Sequence, residues 1–228
     1  MAAGKNIRSV MGSKLEQIYK TVDKCIFCSK QKNYLQHIHG FGPLKSQWML
    51  VLVNPTHKNL SSHPDYLGPR FPFIGVRQFW KVLADGGLIS KKVAYDLPLR
   101  AQWTNKDTEA IQNELLKNKI FITNIVKCCY PHGNYPEKEV IKSQLGVLKK
   151  EINLIKPKQI IAFSTLVHKT LTRETIKLSE YWKSPKESFE KLSGLNIPVI
   201  PVYFPIGRGN PKKAAQVLRK RYNKFHAN

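Results

Sequence analysis

Four short apolar runs punctuate the chain: Trp48 to Asn54, Lys119 to Asn124, Gln159 to Phe163 and Ile197 to Tyr203. Runs of this length between turn-forming residues predict strands buried on both faces. Between them the apolar spacing turns helical. Arg77 to Leu83 predicts a short helix, Asp107 to Leu116 a helix with an acid at its start, and Glu137 to Ile155 a long amphipathic helix ended by Pro157. Lys212 to Phe225 predicts a basic helix behind Pro211. Strands alternating with helices predict an α/β fold of three layers, α/β/α, around a central four-stranded, mainly parallel sheet. Residues 174–194 mix Lys, Glu, Ser and Pro with Trp182 and Phe189 and read as an irregular insertion before the last strand. The expected organisation is one domain over 1–228, with an N-terminal helix and a Cys-x2-Cys segment in 1–47 and the α/β core in 48–228.

Composition narrows the class of function. The 42% of apolar residues is ordinary for a folded globular chain and excludes wholesale disorder. The longest unbroken apolar run, Trp48 to Val53, falls far short of the roughly 18 residues a membrane span needs. Lys5, Arg8 and Lys14 precede no apolar block, so a secretory signal is not expected and the expected location is intracellular, in the cytoplasm with the nucleoid. Charge is the strongest signal, since 38 Lys and Arg against 15 Asp and Glu leave a net +23. A balance this basic points to a polyanionic partner, with lysine-rich dressing of every surface as the bland alternative. Arg208, Lys212, Lys213, Arg219, Lys220, Arg221 and Lys224 follow one another with no acid between them, which suggests a face that is basic by arrangement. The four cysteines, Cys25-Ile-Phe-Cys28 and Cys128-Cys129, suit metal or iron–sulfur ligation better than a disulfide scaffold.

In parallel sheets ligands bind beyond the carboxyl ends of the strands. Those ends carry Asn54-Pro55-Thr56, Asn124-Ile125-Val126-Lys127-Cys128 and Phe204-Pro205-Ile206-Gly207-Arg208-Gly209-Asn210-Pro211. In this order the segments resemble the uracil-DNA glycosylase superfamily, from about Cys25 to the C-terminus. Cys25-x2-Cys28, Gly40-Phe41-Gly42-Pro43, Ile122 to Cys128, Asn134-Tyr135-Pro136-Glu137 and Ile155-Lys156-Pro157-Lys158 resemble the iron–sulfur family 4. The Asn54-Pro55 turn, Phe71-Pro72-Phe73 and Phe79-Trp80-Lys81-Val82 are instead similar to the mismatch-specific and single-strand-selective branches.

The resemblance implies a monofunctional glycosylase that flips a deaminated base, uracil first, out of DNA and hydrolyses its N-glycosidic bond. An abasic site remains for downstream repair enzymes. It implies Asn54 as the residue that orients the attacking water, with Phe73 as an aromatic floor. Asn124 would be the amide that pairs with the acceptor–donor edge of uracil. Pro55 and Phe204 complete the base-binding set. Phe204 stands where related enzymes place a His or Asn that stabilises the leaving anion. Backbone N–H groups over residues 206–209, Lys127 or His132 are the candidate replacements. Arg208, between Gly207 and Gly209, resembles the wedge that fills the hole left by the flipped base, with Lys212 and Lys213 beside it for DNA contact.

Cys25, Cys28 and Cys128 match three ligands of the family 4 4Fe–4S cluster, but the expected fourth position holds Gln144. Cys129, His37 and His39 are the alternatives, and zinc is the alternative metal. The rival functions are a hypoxanthine or xanthine glycosylase, a noncatalytic DNA-binding protein on the same scaffold and, from charge alone, an RNA-binding protein. A monomer is expected.

Overall fold

The apolar runs do become the strands. In the computed structural model, which describes residues 3–25, 37–56, 68–99, 102–130 and 135–227, they form β1 (Trp48–Leu52), β2 (Ile120–Asn124), β3 (Gln159–Phe163) and β4 (Val199–Val202). All four pair in parallel in the order β2-β1-β3-β4, and every residue in them is buried. Pro201 within β4 is tolerated because β4 is an edge strand, where one side of the backbone needs no ladder donor.

The described helices are α1 (Ala3–Asp23), α2 (Arg77–Asp85), α3 (Lys91–Asp96), α4 (Asn105–Lys117), α5 (Lys138–Ile155), α6 (Thr165–Thr172), α7 (Leu178–Tyr181) and α8 (Pro211–His226). Three of them, α3, α6 and α7, were not expected from the spacing. The first two start on local capping chemistry: Ser90 accepts from the Val93 N–H, and Ser164 accepts from the Val167 N–H. The single turn α7 lies inside the segment read as irregular.

Alternation along each strand sorts the core into two layers. Trp48, Leu50, Leu52, Ile120, Ile122, Ile161 and Phe163 face α2, α3, α4 and α8. Met49, Val51, Phe121, Ile160 and Ala162 face α1, α5 and α6. The three-layer α/β/α arrangement is therefore present.

The outer edge of β2 is covered by the segment after α1. Phe41 exchanges both backbone hydrogen bonds with Ile122, at 2.9 and 2.8 Å, and His37 bridges Cys128 in the same antiparallel sense. Gly42 permits this approach: its φ is 144°, and a Cβ there would lie 2.3 Å from the Ile120 carbonyl oxygen. The Gly-Phe-Gly-Pro motif thus seals a sheet edge and brings the N-terminal segment beside the loop that leaves β2.

Candidate functional site at the carboxyl rim of the sheet

Leu52 and Asn124 are register partners at the ends of β1 and β2. The two chains stay together beyond the strands. The Ile125 and Val126 N–H groups donate to Leu52 and Val53 at 2.8 and 2.9 Å, and the Tyr130 N–H donates to Pro55 at 3.0 Å. Asn54 is half-buried in this extension, and its Nδ2 donates to the carbonyl of buried Pro55 at 3.1 Å. The Oδ1 of that amide is its accepting end.

Asn124 lies on the β2 face shared by Ile120 and Ile122 and is fully buried. Neither its Nδ2 nor its Oδ1 has a hydrogen-bond partner. Among the described residues Gln112 is the other amide with both atoms unpartnered, but it sits within α4, away from a strand end. An unsatisfied buried amide costs about 1–3 kcal/mol, so its retention calls for an explanation.

The turn through Phe71 and Phe73 crosses the same rim. Phe71 stacks on Phe41 at 5.1 Å, on the β2 side. Phe73 stacks on Phe79 at 4.2 Å, and Phe79 meets Phe163, the last residue of β3, at 5.7 Å. Phe204, two residues past β4, lies 6.5 Å from Phe73 and tilted by 59°. Phe73 is 2% exposed and holds φ at 67°, a left-handed conformation rare for an aromatic residue. Its carbonyl accepts from Trp80 Nε1 and from the Val76 N–H, both at 3.0 Å, and these bonds hold the strained turn. Asn54, Asn124 and the Phe73 turn thus come from three segments to one end of the sheet.

Past β4 the chain turns tightly. The N–H groups of Gly209 and Asn210 donate to Ile206 and Phe204 at 3.0 and 2.9 Å. A Cβ at Gly209 would lie 1.9 Å from the Phe204 carbonyl oxygen, so only glycine closes this turn. Gly207, Arg208, Lys212 and Lys213 are exposed, and Asn210 caps α8 through the Lys213 N–H at 3.0 Å.

Two expectations about the leaving-anion donor change. The Gly209 N–H is committed to Ile206. Lys127 does not reach the rim: it is fully buried on the opposite side of the sheet, with Nζ 2.7 Å from Glu151 and 2.8 Å from the Thr123 hydroxyl, and also bonded to the Asn124 carbonyl. Thr123 points away from the Asn124 face because successive strand residues alternate. The Tyr19 hydroxyl donates to the same Glu151 at 2.7 Å. Burial pushes Lys127 below its ordinary value against the opposing pull of Glu151, while burial and Glu151 together raise Tyr19. His132 lies outside the described residues.

A second constellation forms behind β2. Ligand atoms of Cys25, His37 and Cys128 all lie within 4.8 Å of one another. Cys25 follows α1, and His37 is held beside Cys128 by their backbone bridge. Gln144 of α5 completes the corner, its Nε2 donating to Cys25 Sγ at 3.4 Å and to Cys128 Sγ at 4.0 Å. Cys128 is disulfide-bonded, whereas Cys25 and Cys129 are free thiols. Cys28 and Asn134 lie outside the described residues. Cys129, offered by the sequence as a ligand, is not in the group: it packs with Ile38, and burial pushes its thiol up to about 11. Adjacent side chains of an extended chain point apart, which separates Cys129 from Cys128. Burial lowers His37 below its ordinary value, with Asp23 partly opposing, and so favours the neutral imidazole that a metal requires.

The sequence reading missed Glu151, Tyr19 and the contacts of Gln144. A signal existed: Gln144 and Glu151 are polar residues on the buried stripe of α5, between Val140, Leu148, Ile152 and Ile155. The basic C-terminal face is also less uniform than its composition suggests. Arg219 donates to the Asp85 carbonyl at 2.8 Å and Arg221 to Gln159 Oε1 at 2.7 Å. No described helix is long and apolar enough to cross a membrane.

Comparison with known proteins gives two matches. The family described as "Uracil DNA glycosylase superfamily" matches residues 39–226. A type-4 uracil-DNA glycosylase of Pyrobaculum aerophilum is 28% identical over 159 residues, which span 69% of this chain and 63% of that protein's length.

Proposed function

This chain belongs to the uracil-DNA glycosylase superfamily, and on that footing we propose that it is a DNA glycosylase that excises a deaminated base, uracil first. The observation that carries this reading is the fully buried, unpartnered amide of Asn124 at the end of β2. A side-chain amide offers one donor and one acceptor, and the O4/N3–H edge of uracil supplies their complements. An everted base entering here satisfies both groups at once.

Asn54 orients the water that attacks the sugar carbon. The new bond forms from the water oxygen to that carbon, the glycosidic bond breaks with its electron pair going to the base nitrogen, and the water proton passes to solvent. An amide is a poor proton acceptor, so turnover is slow. Negative charge spreads onto the base oxygens as the bond lengthens, and the Asn124 Nδ2 donor then serves as both reader and stabiliser. Phe73 and Phe204 flank the base, and Pro55 fixes the Asn54 turn. The Gly207-Arg208-Gly209 turn wedges the duplex, with Lys212 and Lys213 on phosphates.

Cys25, Cys28 and Cys128 would hold a 4Fe–4S cluster once the Cys128 disulfide is reduced. The grouping of two cysteines with His37 beside an amide N–H donor supports metal ligation at this corner. Bound, it would supply a structural tie between α1 and the loop leaving β2.

Duplex and single-stranded oligonucleotides carrying uracil, hypoxanthine or xanthine test the function. Alkali-labile sites are expected with uracil. The Asn124→Ala variant is expected to lose about 100-fold or more in single-turnover rate, the usual loss on removing one preorganised donor. Absence of cleavage of all three bases at high enzyme concentration overturns the reading. Hypoxanthine presents the same acceptor–donor edge through O6 and N1–H, so Asn124 equally supports a deaminated-purine enzyme, and the panel separates the two. Phe204 in the leaving-anion position favours a third outcome, a noncatalytic DNA binder, recognised by tight binding without cleavage.

A further inference from the structure

We propose that the recess between the end of α7, β4 and α8 is a second nucleic-acid subsite, which takes one unstacked base of the single strand flanking the everted nucleotide. This rests on the DNA reading above and uses none of the residues of the carboxyl rim.

The recess has a volume of about 180 Å³, below the roughly 300–1,000 Å³ of pockets for drug-sized ligands, and suits a single ring system. Its walls include Tyr181 and Trp182, from the segment read as irregular, Val199 and Ile200 of β4, and Val217 of α8. The Tyr181 and Trp182 rings meet edge to face at 5.2 Å, and the Tyr181 hydroxyl donates to the Lys186 carbonyl, which ties down the loop after α7. The indoles of Trp80 and Trp103 donate to the carbonyls of Phe73 and Pro98, at 3.0 and 3.1 Å. Trp182 is half-buried, and its Nε1 is shielded from solvent with no acceptor. A base carbonyl or phosphate oxygen, met by a turn of the ring, supplies one.

Charge selects the occupant. Lys186, Lys220 and Lys224 are exposed around the recess, and Glu187 is the one acid among its described lining residues. Arg221 is spent on Gln159. Cations around an aromatic recess hold a single strand by its phosphates while a base stacks on the ring. A duplex keeps its bases paired, so an unpaired strand is the form that fills the recess. One face of α8 joins it to the rim. Lys213, Val217, Lys220 and Lys224 follow at intervals of four, three and four residues and so share that face. Lys213 stands at its rim end, with Nζ 5.5 Å from the ring of Tyr203, the residue after β4. Arg221, bonded to the first residue of β3, marks the other end. Helical rise from Lys213 to Lys224 covers about 16 Å, which about five nucleotides span at the 3.4 Å spacing of one duplex strand.

The test uses the full-length protein and fluorescein-labelled single-stranded DNA carrying one central uracil, with flanks of about two or about ten nucleotides to bracket that span. Anisotropy titrations are expected to show tighter binding of the long strand. Trp182→Leu is expected to weaken binding of the long strand about tenfold, the scale of one lost base stack, while affinity for the short strand stays. Trp182→Phe keeps a ring to stack on and is expected to recover most of the loss, which separates stacking from misfolding. Lys220→Ala with Lys224→Ala is expected to lower the salt slope for the long strand by about 1.4, at about 0.7 per phosphate of a single strand. Equal wild-type affinities for the two lengths, a long-strand affinity unchanged by Trp182→Leu, or an unchanged slope in the lysine pair overturns the subsite. Tighter binding of an RNA strand of the same sequence overturns the assignment to DNA, and quenching of Trp182 emission by thymidine monophosphate alone overturns the assignment to a strand. Cleavage plays no part in these readouts, so failure of the glycosylase reading is judged separately by the oligonucleotide panel.

Discussion

Asn124 concentrates the conflict between stability and function in a single side chain. Its amide is buried without partners in the folded protein, a cost of about 1–3 kcal/mol that, under the proposed function, a bound base removes. Asn124→Leu, branched alike and apolar, is therefore expected to keep or raise the melting temperature while abolishing cleavage. Calorimetry beside a single-turnover assay checks this, and a marked loss of stability in the variant would show that the amide is satisfied without a ligand. The position of Asn124 was legible because a polar residue closed an apolar strand. The strain at Phe73 was not, since its positive φ arises from a turn fixed by Trp80, seven residues on.

At the scale of elements, α5 joins the two constellations through its buried stripe. Gln144 reaches the cysteines, and Glu151, two turns later, holds Lys127, Thr123 and Tyr19. Lys127 in turn bonds the Asn124 carbonyl, so the α5 network fixes the backbone at the carboxyl end of β2. Glu151→Ala leaves a buried ammonium unpaired and is expected to cost about 3–5 kcal/mol in urea unfolding. Replacing the pair together, Glu151→Leu with Lys127→Met, is expected to recover much of that loss. If the single variant is as stable as wild type, the pair does not hold this layer. The polar positions on α5 could be seen in the sequence. Their partners, at 24, 28 and 132 residues' separation, could not.

For the whole molecule, the +23 charge predicts DNA affinity that falls steeply with salt, by about 0.9 in log K per neutralised phosphate for each log unit. Lys212→Ala with Lys213→Ala is expected to flatten that slope in fluorescence anisotropy. Arg221→Ala is expected to act mainly on stability, because its guanidinium already bonds Gln159. An unchanged slope in the lysine variant would remove α8 from the DNA interface. Stability should also depend on pH through His168, which burial holds below its ordinary 6.5, with Glu174 opposing. The unfolded chain takes up a proton near 6.5 while the folded chain resists it. Stability is thus greatest above that value and is lost as pH falls through it. His168→Gln is expected to shrink the drop in melting temperature between about pH 7 and pH 5.

Local pattern sufficed for the strands, the long helices and the two asparagines at strand ends, because apolar periodicity and turn chemistry act over a few residues. It also disclosed the basic balance and the two cysteines, Cys25 and Cys128, that meet beside His37. Which histidine joins the cysteines, why Lys127 is withdrawn from the rim and which arginines are spent inside the molecule were decided by packing alone. Those outcomes depend on segments far apart in the chain being pressed together, and on burial that obliges each charge or amide to find a partner or await a ligand.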